Sequence, residues 1–312
     1  MARRIVYQTW APREIAGGVK AIFQHASMLN AAGLAAVVAT PGGERPTWFA
    51  TDAPVIAPEA IAPDDVLVFA ENDGEGLARF AGSPQPKLVF CQSPLQVWRG
   101  VEPGRSYAAH GVSHLLAVSH TLMRFCSQRF PDLPRHYAPY FVDHEVFRVQ
   151  QSKALQVACM PRKRPFECMA IRDLLAARHP DCAAVPWRLL QDADEAEVAR
   201  TLGESAVFLS LARLEGHAMT TMEAMACGCL VAGFVGHAGF NDSATAANGF
   251  WVPEDDLVAC ADALAAALRL AAAQGSDFQW MVRNARETAA RHRRDAVQPV
   301  VAGVFRQLSG SF

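Results

Sequence analysis

The chain is 312 residues long and 51% hydrophobic, with 31 acidic against 29 basic residues and a formal net charge of −2. This length favours two ordinary domains over one very large domain and is enough to bury a sizeable core. Near-balanced charge without a strongly basic face argues against a nucleic-acid binder. No segment approaches the roughly 20 uninterrupted apolar residues of a membrane span.

Residues 1–7, a charged lead into a strand, lack the apolar core of a secretory signal. Eight cysteines are scattered, with Cys91, Cys159 and Cys260 in apolar stretches and no C-x-x-C pair. Cys227-Gly228-Cys229 is too tight for a usual zinc half-site, so reduced, buried thiols in a cytosolic protein are expected. The dense basic run Arg291-His292-Arg293-Arg294 reads as a solvated helical face.

Residues 4–8 read as a first strand. Gly17-Gly18 then opens a helix with Val19, Ile22, Phe23, Ala26 and Leu29 on one face. Gly33 closes that helix and 34–39 is a second strand, which makes a βαβ opening. Further strands are expected at 54–57, 66–70, 88–91 and 115–119, and a helix over 120–130 is broken by Pro131 and Pro134. Polar residues cluster at 149–153, and the α/β pattern restarts with a strand at 155–159, a helix at 166–178, a strand at 187–190 and a helix at 194–203. The run 206–209 is a buried strand, leading through a polar loop to a short helix that Thr220 or Thr221 caps and Gly228 ends. Strands at 230–234 and 250–252 follow, then helices at 256–273, 278–294 and 297–308. Two successive α/β units imply an α/β chain with two doubly wound, Rossmann-like domains of parallel strands facing a cleft.

Ligands in such sheets bind outside the carboxyl ends of the strands. The loops there hold Gly17-Gly18, Gln92, the stiff basic segment Pro161-Arg162-Lys163-Arg164-Pro165, residues 215–220 and residues 236–242. The glycine pair lets the backbone approach an anion at a helix start, or simply makes a tight turn. Arg162, Lys163 and Arg164 can neutralise a diphosphate, or form an exposed basic loop. The free N–H groups at the start of the helix after residue 218 suit a phosphate, and Glu215 and Glu223 beside it suit hydroxyl groups. Neither G-x-G-x-x-G nor G-x-x-x-x-G-K-[ST] is present, which removes the main support for dinucleotide oxidoreductases and P-loop enzymes. Asp192-Ala193-Asp194 has the form of a metal-holding pair, but Asp194 stands directly before a helix and reads as its N-cap. No metal site is expected, and His25, His110, His114 and His120 read as structural or exposed.

The stretch 206–228, with Glu215-Gly216-His217 and Glu223-Ala224-Met225-Ala226-Cys227-Gly228, resembles the E-x7-E signature of GT-B glycosyltransferases, above all the retaining family 4 group. Gly17-Gly18-Val19-Lys20, Val118-Ser119, Pro139-Tyr140-Phe141-Val142-Asp143 with Phe147, Met160-Pro161-Arg162-Lys163 and Asn248-Gly249-Phe250-Trp251-Val252 are similar, in order, to other segments of that group. The chain departs from the pattern at Phe141, in place of a glycine, at His217, in place of a common phenylalanine, and at Cys91-Gln92-Ser93-Pro94, in place of a histidine motif.

The resemblance implies an N-terminal acceptor-side domain at 1–146, a donor-side domain at 147–292 and a C-terminal helix at 293–312 that crosses back to the first domain. It implies that Glu223 binds ribose hydroxyls and that Glu215 contacts the donor sugar and its developing charge. Gly216, His217, Ala218, Met219 and Thr220 would present the loop and helix start to diphosphate and sugar. Arg162 and Lys163 would hold the phosphates, and Gly17 and Gly18 would approach them from the other domain. Gln92, with Ser93, is the acceptor-side candidate. The implied activity is transfer of a hexosyl or related sugar from a nucleotide diphosphate-sugar, with retention, without metal and without a cofactor. The acceptor is a saccharide, a lipid-linked molecule or a small molecule. The expected location is cytoplasmic, the inner face of the membrane included, with peripheral membrane contact left open. A GT-B nucleotide-sugar epimerase and a non-catalytic sugar-nucleotide-binding subunit are the alternatives.

Overall fold

The computed structural model describes residues 3–213, 215–236 and 243–310. The chain divides into two compact units, one of Met1–Phe141 with Arg294–Phe312, the other of Val142–Arg293. The crossing falls at 141/142 rather than at the expected 146/147. The reason is local: the Phe141 carbonyl accepts from the Gln24 side-chain amide within the first unit at 2.9 Å. The next residue already belongs to the second unit, where Val142 N donates to the His292 carbonyl at 2.7 Å.

The first unit holds β1 (Ile5–Gln8), α1 (Gly17–Ala31), β2 (Ala36–Ala39), β3 (Val55–Ile56), β4 (Val66–Ala70), α2 (Gly74–Arg79), β5 (Lys87–Cys91), α3 (Val97–Gly100), β6 (Val112–Ala117), α4 (His120–Arg129) and β7 (Arg135–Tyr137). Its sheet is parallel throughout, in the order β3-β2-β1-β4-β5-β6-β7. Residues Lys20 to Leu29 of α1 are all buried, so the helix is covered around its circumference rather than on the single face its spacing predicts. Part of that cover is the last helix of the chain. His25, at the centre of α1, is fully buried; its Nε2–H donates to the Pro139 carbonyl at 3.0 Å, and its Nδ1 accepts from the Tyr7 hydroxyl at 3.0 Å. A carbonyl can only accept, which fixes this neutral tautomer. Burial lowers the His25 pKa from 6.5 to about 4.

The second unit holds β8 (Ala154–Cys159), α5 (Pro165–Arg178), β9 (Trp187–Leu189), α6 (Glu195–Glu204), β10 (Ser205–Ala212), α7 (Met219–Ala226), β11 (Leu230–Val235), β12 (Gly249–Val252), α8 (Leu257–Ala273) and α9 (Ser276–Ala290). Its parallel sheet runs β12-β11-β10-β8-β9. Alternate residues of its strands feed two cores. Val157, Leu209 and Leu230 pack with Ile171 and Leu264, while Ala158, Phe208 and Val231 pack with Leu202, Met222 and Met225. That period of two is what a strand buried on both faces requires.

The last helix, α10 (Arg294–Leu308), belongs to the first unit. The Phe305 ring lies 6.2 Å from that of Tyr7 on β1, and Arg306 donates to the Ala32 carbonyl at the end of α1. Among the described residues no single helix is long and apolar enough to cross a membrane.

Candidate functional site

In the second unit, β8 and β10 are parallel neighbours, with Cys159 opposite Leu209. Their carboxyl ends therefore release two loops side by side. The β8 loop makes a short 3-10 turn, Pro161–Lys163, and enters α5 at Pro165, where a missing N–H costs nothing. The β10 loop carries Glu215, Gly216, His217 and Ala218 into α7. The two loops meet where Lys163 Nζ donates to Glu215 Oε1 at 2.8 Å. Arg162 is exposed on the same turn.

Arg164, which the sequence does not distinguish from its two basic neighbours, turns inward. It is 1% exposed, lies 4.5 Å over the Phe234 ring, and is ion-paired to Glu254 and Asp255. Only part of the basic run is thus available at the surface.

The start of α7 differs from expectation in its cap. Met219 is its first residue, and Ala218 precedes it without a side-chain cap hydrogen bond. Thr220 and Thr221 lie inside the first turn. The Thr221 hydroxyl is 3.1 Å from that of Ser210 on β10, which ties the helix to the strand rather than capping it. The first amides of a helix have no intrahelical acceptor, and without a side-chain cap they are suited to an outside anion. Glu223, one turn further on, is 5% exposed. Gly228 ends the helix at φ 76°, the left-handed conformation that favours glycine.

His217 is buried, with its ring 4.6 Å from that of His292 and tilted by 31°. Burial, and then the neighbouring His292, hold its pKa well below 6.5. His217 is therefore neutral near pH 7. His292 is itself buried, which corrects its reading as part of a solvated basic face. Asp194 caps α6 by accepting from Glu197 N at 2.8 Å. Among the described residues no group of three or more His, Cys, Asp or Glu is placed to hold a metal ion. The expected ligand loop at 236–242 lies outside the described residues except for Gly236.

The first unit has its own polar edge. Gly17 and Gly18 open α1 after Ala16, again without a side-chain cap. Gln92, just past β5, donates through Nε2 to the Gly18 carbonyl at 3.2 Å. A Cβ at residue 18 would lie 3.2 Å from Gln92 Oε1, so the glycine permits this approach. Ser93 N donates to Glu71 Oε1 at 2.9 Å. Glu71 stands directly after β4 and is 4% exposed, and the sequence reading passed over it. Its one signal was position, a lone carboxylate at the carboxyl end of a wholly apolar strand. Burial raises its pKa from 4.5 to about 7, against backbone hydrogen bonds that include those of Gln92 and Ser93. Three other histidines here pair with rings: His114 Nδ1 is 3.2 Å from His136 Nε2, and His120 stacks on Tyr137.

Two units with parallel sheets, the last helix belonging to the first unit, have the GT-B fold. The chain is similar to sucrose-phosphate synthase from Thermosynechococcus elongatus, with a TM-score of 0.72 at 13% identity over 99% of this chain and 100% of that one. It is similar to HepE of Anabaena, solved in complex with UDP, with a TM-score of 0.68 at 12% identity over 98% of this chain and 100% of that one. TarM of S. aureus, solved with UDP among its ligands, gives 0.62 at 11% identity over 80% of this chain and 57% of that one. In sequence, 120 residues are 30% identical to an alpha-1,6-glucosyltransferase from Actinobacillus pleuropneumoniae serotype 7. That match spans 38% of this chain and 36% of the relative's length. No family model matches the chain.

Proposed function

We propose that the protein is a glycosyltransferase that takes a hexosyl or related sugar from a nucleotide diphosphate-sugar, with retention at the anomeric carbon and without a metal. The observation that carries this reading is the meeting of the Lys163–Glu215 pair with the uncapped start of α7, and with Glu223 buried one turn beyond. The complexes of HepE with UDP and with UDP-glucose support a uridine nucleotide as the first donor to test.

Breaking the anomeric bond places positive charge on the sugar and negative charge on the leaving diphosphate. The α7 amides with Arg162 and Lys163 stabilise the leaving group as its charge grows, which lowers the barrier rather than tightening ground-state binding alone. These fixed donors perform the electrostatic task that a divalent ion performs elsewhere. Lys163 is already held by Glu215, so a diphosphate would share it rather than recruit it from solvent. Glu215 then faces the sugar's developing positive charge, and Glu223 accepts from ribose hydroxyls. Gly216, His217, Ala218, Met219 and Thr220 line the diphosphate and sugar. Gly17 and Gly18 are donor contacts of the first unit, and Gln92 and Ser93 are its acceptor-side contacts. The cytoplasm, the inner face of the membrane included, is the proposed place of action.

Titration calorimetry with UDP, UDP-glucose and other nucleoside diphosphates tests the donor, with and without a chelator. Binding that survives chelation is the expected result; absence of binding to every nucleotide overturns the reading. Arg162→Ala with Lys163→Ala is expected to lower turnover by about 100-fold, as loss of preorganised charge at a leaving group does. Product NMR distinguishes retention from inversion. Release of an epimer from donor alone would instead mark an epimerase.

A further inference from the structure

We infer that Glu71 is a positioning residue of the first unit: its carboxylate grips the Gln92–Ser93 turn and so holds the Gln92 amide across Gly18. The chain of contacts is continuous. Ser93 N donates to Glu71 Oε1 at 2.9 Å, and Gln92 Nε2 donates to the Gly18 carbonyl at 3.2 Å. Three strand-to-helix connections, after β4, β5 and β1, are joined by one buried side chain and one amide.

The backbone of Glu71 is itself clamped. Its carbonyl accepts from the Tyr107 hydroxyl at 2.5 Å, and Gly100 packs so closely that a Cβ there would lie 1.9 Å from the same oxygen. A carboxylate on so fixed a base transmits its own position to the turn it holds. A role in packing alone does not call for a carboxylate at 4% exposure, because burying that charge is costly. The carboxyl meets that cost only in part through backbone donors.

The titratable groups that interact with Glu71 are Cys91 at the end of β5 and Tyr107 before β6; Cys126 on α4 acts on both of these, and Arg129 on Tyr107. The carboxyl of Asp73, on the same loop, instead accepts from Gly76 N at 2.9 Å. Burial pushes Tyr107 up, and Cys91 is held well above its ordinary value by Cys126 and then by burial. Neither changes charge near neutrality, whereas Glu71 does so at about pH 7. The turn is therefore held by a carboxylate above that pH and by a weaker, protonated acceptor below it.

The consequence for turnover rests on the proposed transferase reading; the consequence for the turn does not. The test follows the Ser93 amide proton by NMR in the whole protein from pH 5.5 to 8.5. It is expected to titrate with a midpoint near 7 and to stop titrating in Glu71→Gln. An amide that does not titrate, or that still titrates in Glu71→Gln, overturns the inference. If that variant fails to fold by circular dichroism, Glu71→Asp, which keeps the charge but shortens its reach, must shrink the titration shift; an unchanged shift overturns the inference. In turnover, Glu71→Gln mimics the protonated form. It should match the wild type at pH 6 and fall about 10-fold below it at pH 8, the scale of one charged hydrogen bond, with UDP affinity unchanged. Equal loss at both pH values would make Glu71 merely structural. Absence of turnover in the wild type would count against the transferase reading, while the NMR titration would still decide the role of Glu71.

Discussion

The two units end their sheets in the same kind of edge but furnish it with opposite electrostatics. The second unit places charge at the surface: Lys163 is 42% and Glu215 23% exposed, paired at 2.8 Å, and Arg162 is exposed beside them. Around Gln92 and Gly18 the first unit instead presents amides and a hydroxyl, from Gln92, Ser93 and Gly18, and buries the carboxyl that holds them, Glu71. On the proposed function, one sheet would serve a strongly anionic ligand and the other would orient neutral, hydroxyl-bearing groups. The lesson is that strand ends fix where a site can lie, and a handful of loop residues fix what it can hold.

The largest expected effect tests whether the buried arginine of the second unit belongs to structure or to ligand. Arg164→Ala removes a fully buried side chain from over Phe234 and should cost about 3 kcal/mol in denaturant unfolding, chiefly through the cavity it leaves. Glu254 and Asp255 are 43% and 70% exposed and recover water when the arginine is gone. Unchanged stability with lost nucleotide binding would move Arg164 into the ligand site.

The next effect separates the units by acid. In the first unit, His25 has a folded pKa of about 4 against 6.5, so its unfolded form binds more protons and stability is lost as pH falls from 6.5 towards 4. Glu71 runs the other way: its folded pKa of about 7 against 4.5 means stability is lost as pH rises from 4.5 through 7. Between these limits the two slopes nearly cancel. Glu71→Gln should therefore uncover the His25 slope, a loss on the order of 2–3 kcal/mol between pH 6.5 and 4.5 in chemical unfolding. His217 in the second unit is also held neutral by burial. An unchanged slope in Glu71→Gln would break the comparison.

Glu223→Ala should weaken UDP binding by about 10- to 100-fold, the scale of hydrogen bonds to a charged group. The same assay on Gln92→Ala should show no change if the division of labour between the edges holds. Smallest is Gly18→Ala. The added methyl displaces Gln92 by a few tenths of an ångström, and better helix propensity offsets the crowding, so stability should move by less than about 1 kcal/mol. Loss of turnover at that position without loss of stability would show that the contact with Gln92 matters to the reaction.

Much of this was legible because long apolar runs and glycine stops mark β/α alternation. The stretch from β10 through α7 shows it best: a wholly buried strand, a polar loop and a helix ended by Gly228 at a positive φ. What the sequence hides is the direction in which similar neighbours turn. Arg162, Lys163 and Arg164 are equivalent as letters, yet the first two are exposed and the third is buried. His292 reads as part of a basic surface because its partner, His217, is remote in sequence and near only in space. The short pieces were missed for want of pattern: α2 carries two glycines in six residues, and β7 is Arg-His-Tyr, with no apolar run. The cap of α7 misled because Thr221, a good capping residue, is taken by Ser210 on the strand beneath.

The return of α10 to the first unit has a consequence for the order in which the molecule is made. On the ribosome, residues 142–293 emerge as one uninterrupted stretch and can complete their own core. The first unit, begun earlier, waits for the helix that sets Phe305 against Tyr7 and covers α1. Until then the apolar seat of Val301, Phe305 and Leu308 stays open on a nascent chain, where such surfaces attract aggregation or chaperones. The half of the protein that starts first is thus the half that finishes last.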